Sequence, residues 1–450
     1  MRHDKDLTPD QQDAIDHLYE YDASLLVGGM GAGKTIVAAT GAVERLRNNI
    51  TNKVLITAPL MPCETAWVKV FEEWSHLKGY RVSYCLGDAN RRAAAMIEDA
   101  DFMVINHENL PWLAKTYGKE HGFDGLIIDE LSKFRRGGAT QYKAFRKLGI
   151  KGWRVGLTGT PVSEDWLGFY GMTKVLDGGL RFGTRLDKYR EKYFIPADYN
   201  QHNWIAKPGS KQAIVKKLRG LAHVMPDYTS TLPALTIAPV HVRLTEESMR
   251  VYKTLENDMV VMLEGVTFEA VNAGVLSSKL RQAAGGFLYG DGTSHRFGME
   301  KIDAATRIID KMDSPIIVVY EYIEEITWLK SCYPGAPVLG EGLSRKRKMQ
   351  AVEDFAQGNV PVLFMHPAAA GHGTDGLQAF CHTMLFLCPI WSQDKYSQVI
   401  ARIWRRGQTE PCKVSVLLAM GTIDETNVMP KLADKADNMP EFLRLWDEQS

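Results

Sequence analysis

The stretch Gly28-Gly29-Met30-Gly31-Ala32-Gly33-Lys34-Thr35 constrains this chain more than any other. The apolar run Leu25-Leu26-Val27 precedes it and Ile36-Val37-Ala38-Ala39 follows, the order of a buried strand, a glycine-rich turn and a helix start. Gly28, Gly29, Gly31 and Gly33, with the small Ala32 among them, let successive backbone N–H groups face an anion, and the helix N-terminus adds partial positive charge. Lys34 is then placed to reach the outer phosphates of a nucleotide, and Thr35 to offer a hydroxyl to Mg²⁺.

Short apolar runs recur after this loop, separated by helical patterns: Val54-Leu55-Ile56, Phe102-Met103-Val104-Ile105, Leu126-Ile127-Ile128 and Val155-Gly156-Leu157. That rhythm predicts a mostly parallel sheet with helices on both faces. It lapses from Trp166 to about Thr236, where a mainly helical insertion is expected. It resumes with a strand over Ile237 to Arg243, a helix over Glu246 to Leu263, a glycine-rich loop or linker from Gly285 to Gly298, and runs at Ile316-Ile317-Val318-Val319, Val362-Leu363-Phe364-Met365, Met384-Leu385-Phe386-Leu387 and Val414 to Leu418. A length of 450 residues accommodates two such lobes, each with its own core. The expected boundaries are 1–236, with the insertion at about 166–230, and 237–450, with a helical or loop insertion at about 246–300.

The 54 basic and 54 acidic residues cancel, so contact with nucleic acid must use local patches rather than a global field. One candidate is the segment from Leu131 to Ser163, which lacks acidic residues and carries Lys133, Arg135, Arg136, Lys143, Arg146, Lys147, Lys151 and Arg154; a solvated helix face is the competing account. Six cysteines without a CxxC pair argue against structural zinc or a disulfide framework. The N-terminus lacks a signal-peptide core and no run approaches the ~20 apolar residues of a membrane span. A soluble, cytoplasmic protein is expected.

Asp129-Glu130 follows the third run. Downstream of a phosphate loop, such a pair suggests that Asp129 holds Mg²⁺ and that Glu130 orients and deprotonates the attacking water. Thr158-Gly159-Thr160 ends the fourth run, where two hydroxyls can sense phosphate. Far downstream, Arg402 and Arg405 stand three apart, a spacing that puts them on one helix face and suits a charge-dense oxyanion.

Taken together, GGMGAGKT, IIDELSKFR, GLTGTP, LRQAAGGFLY and QVIARIWRRGQ followed by Gly421-Thr422-Ile423-Asp424-Glu425 resemble the motifs of superfamily-two helicases, in particular SWI/SNF-type DNA translocases and their compact bacteriophage versions. The resemblance runs from residue 7 to about residue 426. It implies an α/β fold of two RecA-like parallel-sheet lobes in tandem, and an ATP- and Mg²⁺-dependent motor on DNA, double-stranded by preference; a bare motor of this kind needs a protein partner or a DNA structure to give it an address. It implies that Gln11 reads the adenine and that Arg402 and Arg405 act as arginine fingers. Pro59, Asn106, Lys279, Arg281 and Gly371 would touch the DNA backbone, and Thr158, Thr160 and Gln398 would couple the two activities. Alternatives are a strand-separating or branch-migrating helicase and a nucleotide-gated binding module with slow turnover. Two departures stand out: Ser132 replaces the histidine of an Asp-Glu-Ala-His box, and Asp375-Gly376 interrupts the usual Gly-Leu-Asn-Leu run.

Overall fold

The computed structural model describes residues 2–135, 140–162, 165–197, 203–263, 265–340, 343–358, 360–370, 376–430 and 438–448. The chain divides into two compact units: unit 1 is Met1–Ser230 with Asp437–Ser450, and unit 2 is Thr231–Ala436.

Unit 1 contains β1 (Ala23–Val27), β2 (Val54–Ala58), β3 (Val82–Cys85), β4 (Phe102–Asn106), β5 (Gly125–Ile128), β6 (Trp153–Thr158), β7 (Phe194–Pro196), β8 (Trp204–Ala206) and β9 (Ala222–Val224). Seven of these form one sheet in the order β3-β4-β2-β5-β6-β1-β9, and every pairing in it is parallel. The central strands β2, β4 and β5 are buried at every residue and largely apolar, because both faces are covered. Alternate residues go to opposite sides: Leu25, Leu55, Met103 and Leu126 join one core, and Leu26, Ile56, Val104 and Ile127 the other. In a parallel sheet the polar loops gather at the carboxyl ends of the strands. Those are the ends at which residues 28–35, 129–130 and 158–160 lie.

Unit 2 repeats the plan with β10 (Leu235–Val242), hairpin β11 (Val260–Leu263) and β12 (Val266–Glu269), hairpin β13 (Phe287–Gly290) and β14 (Thr293–Arg296), β15 (Ile316–Val319), β16 (Val338–Leu339), β17 (Val362–Met365), β18 (Thr383–Phe386) and β19 (Cys412–Ala419). Its main sheet has the order β10-β19-β18-β15-β17-β16 and is parallel throughout. Two parallel sheets, whose central strands are buried on both faces while the edge strand β10 is largely exposed, make the chain an α/β protein of two RecA-like lobes in tandem.

Four features depart from the sequence expectations. The insertion after Trp166 is not only helical: it ends in β9, which pairs with β1 beside the phosphate loop. The helix expected from Glu246 to Leu263 stops at Asp258, and Val260–Leu263 pairs antiparallel with Val266–Glu269 instead. The glycine-rich stretch 285–298 also folds as a hairpin, turning at Asp291 (φ 50) and Gly292 (φ 74), both left-handed as a two-residue turn of this hand requires. Finally, helix Asn438–Asp447 belongs to unit 1, whereas the expected second lobe ran on to residue 450. Its Phe442 lies among Trp166, Phe169 and Trp446, Glu441 pairs with Lys211 at 2.5 Å, and the Arg219 guanidinium lies 4.0 Å from the Trp446 ring centroid.

Candidate functional site

The phosphate loop is held by its own glycines and by three neighbouring segments. Gly31 (φ 85) and Gly33 (φ 87) occupy left-handed backbone, which costs a side-chain-bearing residue about 1–2 kcal/mol. Gly33 is doubly constrained, because a Cβ there would lie 2.2 Å from Gln11 Nε2. The Gln11 amide donates to the Ala32 carbonyl at 3.0 Å and accepts from Thr8 N at 3.0 Å, so the residue implied to read adenine also braces the loop. Gly28 N donates to the Thr158 carbonyl at 3.1 Å, tying the loop to the end of β6. On the other side Met225 N donates to Val27 O at 2.8 Å, and a Cβ at Gly28 would approach Met225 Sδ to 3.0 Å. Tyr228 stands over Gly29, 3.6 Å from where a Cβ would be.

Lys34 opens helix Lys34–Arg47, and its ammonium donates to the Gly28 and Gly29 carbonyls at 2.7 and 3.1 Å. Desolvation by the surrounding loop lowers its pKa, and the charges of Glu130 and Asp129 oppose that shift. Asp129 shows the converse: burial raises its pKa, and Lys34 pulls it back. A half-buried lysine near a buried carboxyl, each with its pKa shifted mainly by desolvation, is the pattern of a functional site.

Asp129 is fixed on all sides. Its N–H donates to Thr57 O at 2.8 Å, Oδ2 accepts from Trp67 Nε1 at 3.1 Å, and Oδ1 accepts from Glu130 N at 3.0 Å. Glu130 adopts φ 52, ψ 50, a left-handed conformation that a residue with a side chain holds only when its surroundings impose it. Leu131 supplies part of that constraint by packing onto Gly156, where a Cβ would come within 2.3 Å of Leu131 Cδ2. Behind Asp129 lies His107, 2% exposed, with Nδ1 2.9 Å from Thr57 Oγ1 and Nε2 3.0 Å from the Asp129 carbonyl. Burial, then the charge of Lys133, pushes the His107 pKa down to about 3.

Thr158 is fully buried and its hydroxyl accepts from Thr160 N at 3.2 Å. Gly159 lies against the phosphate loop: a Cβ there would be 3.4 Å from Gly28 O and 3.7 Å from Lys34 Nζ. The sheet order β5-β6-β1 thus places Asp129 and Glu130, Thr158 and Thr160, and Lys34 and Thr35 at adjacent strand ends. Trp67, His107, Met225 and Tyr228 carry no local sequence signal for this place. They come from segments distant in sequence.

Other candidates are placed differently. Arg135 Nη2 donates to the Thr160 carbonyl at 2.8 Å, and Gly168 and Gly171 pack on it, so it braces the site rather than presenting a free charge. Lys143, Arg146, Lys147 and Lys151 are exposed, while Arg136 and Gly371 lie outside the described residues. Pro59 is buried at the start of helix Leu60–Glu64, and buried Asn106 donates to Glu108 Oε2 at 2.8 Å. In unit 2, Lys279 donates to Tyr289 O at 3.3 Å, and Arg281 pairs with Glu321 and reaches Pro389 O at 3.2 Å. Gln398 is half-buried on helix Gln393–Ile400.

Arg402 and Arg405 do not share a helix face, as their spacing predicts, because the helix ends at Ile400. Arg402 N and Ile403 N bond back three residues, to Val399 O and Ile400 O, and tighten the chain into a turn. Gln408 Nε2 then pins that turn to Ile403 O and Cys381 O at 3.0 and 3.1 Å. Arg402 is buried and Arg405 half-buried. Among the described residues, no helix is long and apolar enough to cross a membrane.

The profile of the SNF2-related domain matches residues 11–284. Over 448 residues the chain is 29% identical to protein p41 of Acyrthosiphon pisum secondary endosymbiont phage 1, covering 93% of this chain and 94% of that protein. It is 22% identical to the human DNA repair and recombination protein RAD54-like, covering 94% of this chain but 64% of the relative, so it spans less than two thirds of that protein's length. Among solved structures, the Sulfolobus solfataricus SWI2/SNF2 ATPase core in complex with dsDNA is similar at a TM-score of 0.45 and 19% identity, with 98% and 97% of the two chains covered. With more than half its length matched by the profile, the chain belongs to the SNF2-related domain family.

Proposed function

We propose that this protein hydrolyses Mg²⁺-ATP and uses the cycle to move along duplex DNA. The observation that carries this reading is the meeting of Lys34, Asp129, Glu130 and Thr158 at three adjacent strand ends. ATP and Mg²⁺ fit these residues. Gly159 leaves room beside the Lys34 ammonium that a side chain would fill, and the Thr35 hydroxyl and Asp129 carboxylate are the hard oxygen donors that Mg²⁺ takes. When bound, the metal would neutralise charge on the phosphate oxygens.

The remaining work falls to the chain. The Lys34 ammonium exchanges the Gly28 and Gly29 carbonyls for phosphate oxygens. Glu130, held in left-handed backbone, orients the attacking water and accepts its proton. Asp129, braced by Trp67 Nε1 and Glu130 N, keeps its carboxylate in one orientation. Thr158 and Thr160 connect the loop with the end of β6, so a change at the phosphates alters that strand end. Arg402 and Arg405 offer cationic charge during hydrolysis, and Gln398 contributes to coupling.

DNA as the track is supported by the likeness to the DNA repair and recombination protein RAD54-like and by the exposed basic residues Lys143, Arg146, Lys147 and Lys151, which suit a phosphate backbone. Pro59, Asn106, Lys279, Arg281 and Gly371 are proposed to meet the DNA backbone, Arg281 by exchanging Glu321 for phosphate. The test is ATPase rate against single-stranded, duplex, forked and RNA ligands, beside triplex-displacement and strand-displacement assays. Stimulation by duplex with triplex displacement supports translocation. Displacement of a paired strand instead favours a helicase, and binding without stimulated turnover favours a recruitment module.

A further inference from the structure

Three strand ends in unit 1 meet at one side chain. His107 leaves β4, passes the end of β2 and reaches the residue after β5, the three being neighbours in the order β4-β2-β5. Its Nε2 faces the Asp129 carbonyl, which can only accept, so Nε2 carries the proton. Nδ1 therefore accepts from the Thr57 hydroxyl, and both polar atoms of a neutral, buried ring are used. The ring stands edge-on to Phe134, with centroids 5.2 Å apart and planes at 84°, which removes its remaining freedom.

The groups that fix Asp129 come from two segments. Thr57 and Trp67 flank Pro59: Thr57 is the last residue but one of β2, and Trp67 lies on helix Ala66–Glu73, the second helix after Pro59. His107 directly follows Asn106. Each proposed unit 1 contact with the DNA backbone thus stands within a short stretch of a group bonded to Asp129, on its main chain or its carboxylate. A displacement of either strand end moves the Asp129–Glu130 pair through hydrogen bonds made in a desolvated site.

We propose that His107 is a positioning residue that carries DNA engagement at residues 59 and 106 to the hydrolytic carboxylates. This rests on the DNA-dependent ATPase reading above. It assigns to a buried imidazole, which touches neither substrate, the conversion of DNA contact into turnover.

The experiment compares wild type with His107→Phe, Thr57→Val and the double variant, measuring kcat and KM for ATP with and without saturating duplex DNA. Either substitution removes the Thr57–His107 bond, so each single variant loses about tenfold in DNA-stimulated kcat, the scale found when an outer partner of an active-site ligand is removed. KM for ATP moves by less than about twofold, because ground-state binding is not what the bond controls. The double variant is no worse than the weaker single, and His107→Gln, which restores a donor and an acceptor, recovers part of the loss. Thr57→Val, nearly isosteric, keeps the test alive if His107→Phe fails to fold. Wild-type protein that DNA does not stimulate overturns the functional reading together with this proposal. A stimulated wild type whose two single variants are stimulated equally, or whose two defects multiply, overturns the proposal alone.

Discussion

The two units share a parallel-sheet plan and use the carboxyl ends of their strands in opposite ways. In unit 2 the charges there are closed upon one another: Lys301 and Asp424, 4% and 1% exposed, pair at 2.5 Å, and Glu325 accepts from Glu321 N and Tyr322 N at 2.8 and 2.9 Å. In unit 1 the Lys34 ammonium rests on two neutral carbonyls of its own loop, close enough to feel the charges of Glu130 and Asp129. A cation bonded to carbonyls can exchange them for an anion at small cost, whereas an ion pair inside a core cannot open without stranding a charge. The first arrangement suits chemistry and the second suits shape.

The comparison breaks most visibly at Glu130. Glu130→Gln keeps the side-chain shape and removes the base, so kcat for ATP hydrolysis should fall about 10²- to 10⁴-fold while ATP binding and the melting temperature hold. Retained turnover would show that unit 1's strand ends are as structural as those of unit 2. Next is Lys301→Met, which strands Asp424 and should cost unit 2 about 3–5 kcal/mol in denaturant unfolding. Adding Asp424→Leu should return much of that, since an apolar pair of similar volume replaces a buried ion pair with little loss. A smaller loss, about 3 kcal/mol, is expected for Phe442→Ala, which empties the aromatic cluster under the last helix. It should appear in the unfolding of unit 1, although the residue follows unit 2 in sequence.

The smallest effect is on pH dependence. His17, packed on His223 at 5.3 Å, has its pKa lowered from 6.5 to about 4, first by burial and then by the neighbouring imidazole. Between those values the unfolded chain binds a proton that the folded chain does not, so stability is full above 6.5 and declines as pH falls towards 4. Melting temperatures of His17→Gln across that window should slope less than those of wild type.

The sequence reveals most where function is local. The phosphate loop is legible because its glycines, Lys34 and Thr35 must be consecutive, and Asp129-Glu130 because it follows a strand of continuous apolar residues. The main strands are legible for the same reason: a strand covered on both faces has no polar alternation to confuse. What stays hidden is made by distance. Trp67 and His107 meet Asp129 across 62 and 22 positions, and nothing nearby marks them. β9 has three residues, Ala222-His223-Val224, too few to show a period. The hairpin at 287–296 carried its signal in Asp291-Gly292, which reads as loop when glycine content alone is weighed. The turn after Ile400 defeats a helical spacing argument, since Gln408, not the local pattern, closes it. The last helix shows an apolar face, but no sequence rule says which unit it covers.

The central claim is that unit 1's strand ends form a DNA-responsive hydrolytic site, and one measurement addresses it directly: the ATPase rate of wild-type and Lys34→Ala protein, with Mg²⁺, at increasing duplex DNA. Turnover should rise with DNA in wild type and be absent in Lys34→Ala at every DNA concentration. Wild-type turnover no greater than that of Lys34→Ala, with or without DNA, would contradict it.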